Sequence, residues 1–312
     1  MTNEAFATWL PAHLSETYGI EALRVSRPQG HNPYVLRVDH DCGAPWIARA
    51  FGPERPRERT EGDAEILRLL EARGYPAERC VTDAPVSIAG DHTVLVTGFV
   101  DGRTPTTSKR SMRAFGSRLG ELHSLAALSG AALREGGSWH GESEGLPASD
   151  LSAGLAMLDS VADRVAPHGV AARDRLREIV ASADTCSDLP FALLHPDPGP
   201  PNAVDGPGGL TFVDWTGAGS GPRVVGLALL VQFADDLDGV AALCAGYREH
   251  VALSTEELDR MDDALAIRAL FWACFYYRMS VQSGHTPSGG EGWWPNPDRR
   301  AAIAERVRAE LG

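Results

Sequence analysis

The dominant hydrophobic period of this 312-residue chain shifts near residue 100, and that shift constrains what it can fold into more than any other feature. Up to about residue 100 the pattern is largely that of short strands. Glu21 to Ser26, Tyr34 to Val38, Trp46 to Phe51, Pro85 to Ala89 and Thr93 to Val100 are brief apolar or alternating runs bounded by turn residues such as Asp39 to Gly43 and Gly90-Asp91-His92. Two helices are expected among them, Glu4 to Tyr18 and Arg57 to Arg73, the second with apolar Ile66, Leu67, Leu69 and Leu70 and stopped by Gly74. After the polar stretch Asp101 to Thr107 the pattern is helical: Lys109 to Leu128, Asp150 to Arg164, Gly169 to Ala183, Val224 to Asp236, Val240 to His250, Ser254 to Ser283 and a last helix to Leu311. Ser254 and Glu257 stand at capping-box spacing. A strand pair, Phe191 to Leu194 and Leu210 to Val213, interrupts the helices. The expected class is therefore α+β in two parts: an antiparallel sheet with helices over residues 1–101 and a mostly helical part over 102–312.

Composition narrows the function. Twenty-nine basic residues against 42 acidic ones give a net charge of −13, which argues against a nucleic-acid partner, since such binding needs a basic footprint. With 43% hydrophobic and 23% charged residues the chain can build a real core. Five scattered cysteines, with no Cys-x-x-Cys pair, point to free thiols in a reducing cytoplasm. Neither a signal-peptide pattern nor an apolar run long enough to span a membrane is visible. Only one of the 29 basic residues is a lysine, Lys109, so chemistry that ordinarily uses lysine must use arginine.

The segment that carries chemistry is His195-Pro196-Asp197-Pro198-Gly199-Pro200-Pro201-Asn202, followed by Phe212-Val213-Asp214-Trp215. It reads His-x-Asp-x-x-x-x-Asn with a second aspartate at the end of an apolar strand. Phosphoryl transfer needs such a set: one carboxylate to orient an incoming hydroxyl and accept its proton, and an amide oxygen with another carboxylate to hold Mg²⁺ on nucleotide phosphates. A metal-dependent hydrolase using His195 and Asp197 fits poorly, because no second histidine lies at ligand spacing.

In these residues the chain resembles the aminoglycoside phosphotransferase and choline kinase-like family, small-molecule kinases with a bilobal protein-kinase-like fold. The family pattern His-Gly-Asp-Leu-His-Pro-Gly-Asn, then Ile-Asp-Trp, is matched at His195, Asp197, Pro200, Asn202, Asp214 and Trp215. Leu95 to Gly102 is similar to the family's hinge strand and Leu119 to Leu125 to its Leu-x-x-Leu-His helix, so the resemblance covers about residues 20–285. It implies Asp197 as catalytic base, His195 as organiser of the catalytic loop, Asn202 and Asp214 as Mg²⁺ ligands, and ATP or GTP as donor. It also implies Arg49, on the third strand, as the cation on the nucleotide phosphates, steadied by an acid of the following helix. Asp63 fits that place, with Glu61 and Glu65 as competitors. Gln29 to Pro33, with Gly30 and His31, corresponds to the loop covering the phosphates, and Thr97, Phe99 and Val100 to the nucleotide side of the hinge. Asp235 and Asp236 with Trp272 and Tyr276 are candidates for an acceptor pocket suited to a cationic, hydroxylated molecule: an aminoglycoside or other antibiotic, an aminosugar or a choline-like amine. Trp293 and Trp294 lie further along.

Two departures from the family pattern stand out. Four prolines crowd six positions, 196, 198, 200 and 201 among them, where proline fixes φ and offers no N–H. The aspartate that braces the catalytic loop in the family, in Gly-Asp-Pro-x-x-Asp-Leu-Ala, is Gly226 here. Loop rigidity from the prolines is the expected compensation. The departures also motivate the alternative of a non-catalytic, ligand-binding pseudokinase. A monomer or a homodimer fits the sequence equally.

Overall fold

The structure is a computed structural model and describes residues 3–28, 34–126, 128–137, 145–289 and 297–312. Helix α1 (Asn3–Tyr18) precedes strands β1 (Ala22–Ser26), β2 (Val35–His40) and β3 (Trp46–Phe51); helix α2 (Arg57–Ala72) then leads to β4 (Val86–Ala89) and β5 (His92–Gly98). The five strands form one antiparallel sheet in the order β1-β2-β3-β5-β4. Alternation along β2 decides its two faces. Leu36 and Val38 turn inward with Ala48, Val94 and Val96 against Phe6, Leu10 and Leu14 of α1. On the other face Val35, Arg37, Ile47 and Arg49 overlook a cleft.

Helix α2 joins the two parts of the molecule. Ala64 packs with Phe51 and Leu95 of the sheet, whereas Ile66, Leu67 and Leu70 belong to the main core of the helical part. Gly74, at φ +69°, closes the helix as its position in the sequence predicts.

Helix α3 (Lys109–His123) is capped by Ser108, whose hydroxyl accepts from the Ser111 N–H. It is followed by α4 (Asp150–Asp159), α5 (Val170–Ser182), β6 (Phe191–Leu194), the hairpin β7 (Ala203–Gly206) and β8 (Gly209–Phe212), β9 (Gly219–Pro222), α6 (Arg223–Val231), α7 (Leu237–Tyr247), α8 (Thr255–Asp259), α9 (Met261–Gln282) and α10 (Pro297–Leu311). Eight of the nine residues of α6 are buried, which places that helix at the centre of the core.

Three expectations are corrected. The strands around residues 191–194 and 210–213 do not pair with each other: β6 pairs with β9, and β8 pairs with β7. The helix expected over Ser254 to Ser283 is broken at Arg260, whose φ −93° and ψ 12° leave the helical region while its guanidinium binds Asp184 and Asp188. Several expected helices also end early, α3 at His123 rather than Leu128 and α6 at Val231 rather than Asp236. The Ser254–Glu257 capping box forms. All five cysteines are free, and among the described residues no helix is long and apolar enough to cross a membrane.

Candidate active site

A cleft of about 770 Å³ lies beneath the sheet, where the linker after β5 (Asp101 to Thr107), the β7–β8 hairpin and the loop after β6 meet. Its volume suits a small ligand. Val35, Ile47, Phe99, Val100, Ala203, Val204 and Val213 supply apolar wall, and Arg49, Glu78, Asp197, Asn202 and Asp214 converge within it. The linker is fixed over the hairpin by reciprocal backbone bonds between Arg103 and Asp205, 3.2 and 2.8 Å.

The loop after β6 is set by His195. Its ring is buried, held edge-on at 4.7 Å by Trp215, and its Nε2–H donates to the Val213 carbonyl at 3.0 Å while Nδ1 accepts the Asp197 N–H at 3.2 Å. Burial drives its pKa down to about 4, so the ring is neutral and both nitrogens are engaged in holding the loop. Such a histidine orients the loop and is not placed to act as a base. Asp197 is held beyond it: the Asn202 amide nitrogen donates to the Asp197 carbonyl at 3.0 Å and to its Oδ2 at 2.7 Å. That leaves the Asn202 amide oxygen as an available hard ligand. Burial pushes the Asp197 carboxyl above its ordinary pKa, with Arg268 opposing.

The crowded prolines are accommodated without unusual backbone. Gly199 sits at φ −98° and Pro200 to Asn202 form one short 3₁₀ turn. The space beside Gly226 is filled by the His123 ring: a Cβ built there would stand 2.7 Å from ring atoms and 2.8 Å from a Leu194 methyl. His123 is itself buried, bonded to the Tyr247 hydroxyl at 2.9 Å, with its pKa lowered to about 3 by burial. The room that a side chain would need at position 226 is thus taken by a packed ring.

Arg49 reaches the cleft from β3. Its Nη1 donates to Glu78 at 2.8 Å and to the Thr97 hydroxyl at 3.0 Å, and its Nε lies 3.4 Å from Asp214. Burial works against its charge, but Glu78 and Asp214 outweigh it and hold its pKa above the ordinary value. The acid expected from α2 is corrected here. Asp63 is fully buried between Arg55, at 2.8 Å, and Arg134, and none of Asp63, Glu61 or Glu65 is hydrogen-bonded to Arg49; Glu61 binds Arg57 and Glu65 the Ala131 N–H. The reason is positional: the segment after α2, not the helix itself, passes beneath β3. Glu78 on that segment also accepts the Asp214 N–H at 2.8 Å. Nothing periodic marks Glu78 in the sequence. Its only signal is a carboxylate just after Tyr75-Pro76-Ala77, a segment that turns out to be largely buried.

Asp214 itself stands at φ +63°, one of two described non-glycine residues at positive φ. Such backbone strain is concentrated at functional sites. Thr97 is fully buried within the Arg49–Glu78 pair and does not line the cleft, whereas Phe99 and Val100 do. Arg37 lies over the Phe99 ring at 4.3 Å. Gly30 and His31, like Trp293 and Trp294, lie outside the described residues.

The acceptor candidates are not brought to this cleft. Asp236 is spent as the N-cap of α7, accepting the Gly239 N–H at 2.7 Å, and Asp235 accepts the Thr107 hydroxyl at 2.5 Å. Trp272 stacks on Tyr276 with ring centroids 5.8 Å apart, in an aromatic cluster with Phe271 and Phe275 on α9.

Residues 25–263 match the family model described as Phosphotransferase enzyme family. No curated protein sequence matches the chain. Among solved structures, an amicoumacin kinase crystallised with AMP-PNP and Ca²⁺ aligns at a TM-score of 0.68 and 17% identity, over 100% of this chain and 96% of that one. A choline kinase from Streptococcus pneumoniae aligns at 0.59 and 14% identity, over 97% and 98% of the two chains. A spectinomycin phosphotransferase solved with ADP aligns at 0.60 and 12% identity, over 98% and 94%. At such identities these structures speak for a shared fold, protein-kinase-like with an antiparallel sheet before a helical part.

Proposed function

The chain belongs to the phosphotransferase enzyme family of small-molecule kinases, and from that premise we propose that it is an ATP- or GTP-dependent O-phosphotransferase acting by direct in-line transfer. The observation that carries the proposal is the convergence of Asp197, Asn202, Asp214 and Arg49 on one cleft with an apolar end. The apolar end, at Val35, Ile47, Phe99 and Val213, takes the base, and Arg49 faces the phosphates with a guanidinium fork able to meet two oxygens.

The donor set fits a divalent cation. Arg49 is flanked by Glu78 and Asp214, with Asp197 nearby, so carboxylates outnumber the one buried cation among them; hard oxygen ligands are presented by Asp214 and Asn202. Asn202 and Asp214 would hold Mg²⁺, which when bound neutralises charge on the nucleotide phosphates. Asp197 orients the acceptor hydroxyl toward the terminal phosphorus and takes its proton. Its raised pKa suits that task, because a carboxylate that is too weak a base accepts a proton poorly. His195 holds the loop by the two bonds described above.

A hydroxylated, cationic acceptor is in keeping with the net charge of −13, and the named relatives act on amicoumacin, choline and spectinomycin. The test is ADP or GDP release with Mg²⁺ against a panel of aminoglycosides, other antibiotics, aminosugars and choline-like amines, comparing wild type with Asp197→Asn. Transfer by wild type and its loss in the variant, with nucleotide binding kept, is the expected result. Full turnover in Asp197→Asn would refute the assignment. A wild type that binds nucleotide and transfers to nothing on the panel, or to water, would favour the non-catalytic alternative.

A further inference from the structure

The peptide unit between Pro196 and Asp197 is gripped at both ends. His195 Nδ1 accepts its N–H at 3.2 Å, and its carbonyl accepts from Nη2 of Arg268 at 2.6 Å. Arg268 is buried at the middle of α9, 6% exposed, in a run otherwise made of Ala, Leu, Ile and Phe. Its Nε donates to Asp150 Oδ2 at 2.7 Å, and the same Nη2 donates to the Gly137 carbonyl at 2.8 Å. Asp150 is 5% exposed and lies in the first turn of α4.

A buried ion pair of this kind contributes little net stability, because desolvating two charges offsets their attraction. What it supplies is geometry: a planar fork meets three acceptors from three segments at once, which a single ammonium does poorly. The position from which α6 would brace the loop is occupied by the His123 ring beside Gly226, and no carboxylate stands there. The described grip on the loop carbonyl comes instead from α9.

We infer that Arg268, oriented by Asp150, is a positioning residue that sets the Pro196–Asp197 peptide plane and thereby aims the Asp197 carboxylate at the acceptor hydroxyl. The inference rests on Asp197 as proposed above. Displacing a reacting group by about 1 Å can cost on the order of 100-fold in rate. Nucleotide contacts come from β3, the linker and Asp214, so they are left in place by a change at Arg268.

The experiment compares wild type, Arg268→Lys, Arg268→Gln and the double variant Arg268→Gln/Asp150→Asn, which leaves no lone buried charge. It uses the acceptor found in the panel and, in parallel, slow transfer to water, with thermal shift by Mg²⁺–ATP and Mg²⁺–GTP as the binding readout. Expected is a kcat loss of about 10- to 100-fold in Arg268→Gln and the double variant, partial rescue in Arg268→Lys, and a nucleotide KM within about twofold of wild type. A folded, nucleotide-binding double variant with wild-type kcat would overturn the inference. So would parallel losses of kcat and nucleotide binding, which would mark a general structural role. Asp197→Asn separates the two ideas: full turnover there removes the base assignment itself, whereas a dead Asp197→Asn beside an active Arg268→Gln removes only the positioning role.

Discussion

Two neighbouring buried clusters of charge beside β3, one reached by Arg49 and the other by Arg55 over the Phe51 ring, have opposite composition. At one, the Asp63 carboxylate, 1% exposed, sits between the guanidiniums of Arg55 and Arg134. At the other, the Arg49 guanidinium sits between the carboxylates of Glu78 and Asp214, the latter 32% exposed to the cleft. The surplus donors of the first cluster end on protein oxygens: Arg134 donates to the carbonyls of Ala218 and Arg59, and Arg55 to the Thr60 hydroxyl. It is closed. The second cluster carries more carboxylate charge than its own cation balances and faces an open cleft, as a site completed by a metal and phosphates should. On the function proposed above, the difference separates a structural ion pair from a functional one when both are buried: the question is whether the charges are satisfied by protein alone.

Substitutions can break this distinction or sharpen it. The largest effect is expected from Asp214→Asn, which keeps the backbone but removes a carboxylate from the open cluster. Turnover should fall about 10³- to 10⁴-fold, roughly 4 to 5.5 kcal/mol, with a melting temperature close to wild type, as steady-state kinetics and calorimetry would show. Asp63→Ala, in the closed cluster, should do the reverse. Two guanidiniums left without their carboxylate cost about 3–5 kcal/mol in urea unfolding, while the kcat of the surviving folded protein changes little. If Asp63→Ala instead behaved like Asp214→Asn, the contrast between the clusters would collapse. Glu78→Gln comes next, because it loosens Arg49 yet leaves Asp214 beside it. Nucleotide KM should rise about tenfold, equivalent to about 1.4 kcal/mol, with kcat less affected.

A pH dependence of stability, spread gradually over several units, comes from a group outside both clusters. His123 titrates at about 3 when folded, below its ordinary 6.5, because burial disfavours its charge. The unfolded chain therefore binds a proton there that the folded chain refuses as pH falls below 6.5, and stability drops by up to about 1.4 kcal/mol per pH unit from this group. Unfolding free energies measured from pH 7 to 5 should decline, and His123→Phe should make that decline shallower, leaving the share of His195, whose pKa burial also lowers. An unchanged slope would mean that His123 is not the neutral, packed ring described.

Most of the open cluster was legible because its parts are local: His195, Asp197, Asn202 and Asp214 fall within twenty residues, on a strand, a turn and a hairpin that hold them together. Arg49 was singled out by the family resemblance together with its strand and the scarcity of lysine. Glu78 was hidden because its role depends on where an irregular connection passes in space, which no period encodes. Arg268 was masked in another way, as a charge in an apolar helix whose partners, Asp150, Gly137 and Pro196, come from well over fifty residues away. The sheet was readable from alternation and turns, yet the pairing of β6 with β9 was not, since Gly219 to Pro222 lacks every residue type that favours strands. Asp235 and Asp236 lie outside the cleft, and Asp236 caps a helix: an acidic pair before a helix is as much a capping signal as a binding one.

The left-handed backbone at Asp214 has a bearing on which residues that position admits. The metal-holding role proposed for it needs a carboxylate, which restricts it to two amino acids, Asp and Glu. A φ of +63° restricts it separately to glycine, asparagine or aspartate with any ease. These are independent filters, one from the reaction and one from the chain's own sterics, and aspartate alone passes both. A glutamate there would keep the carboxylate at a backbone cost of about 1–2 kcal/mol, so position 214 favours aspartate on both counts.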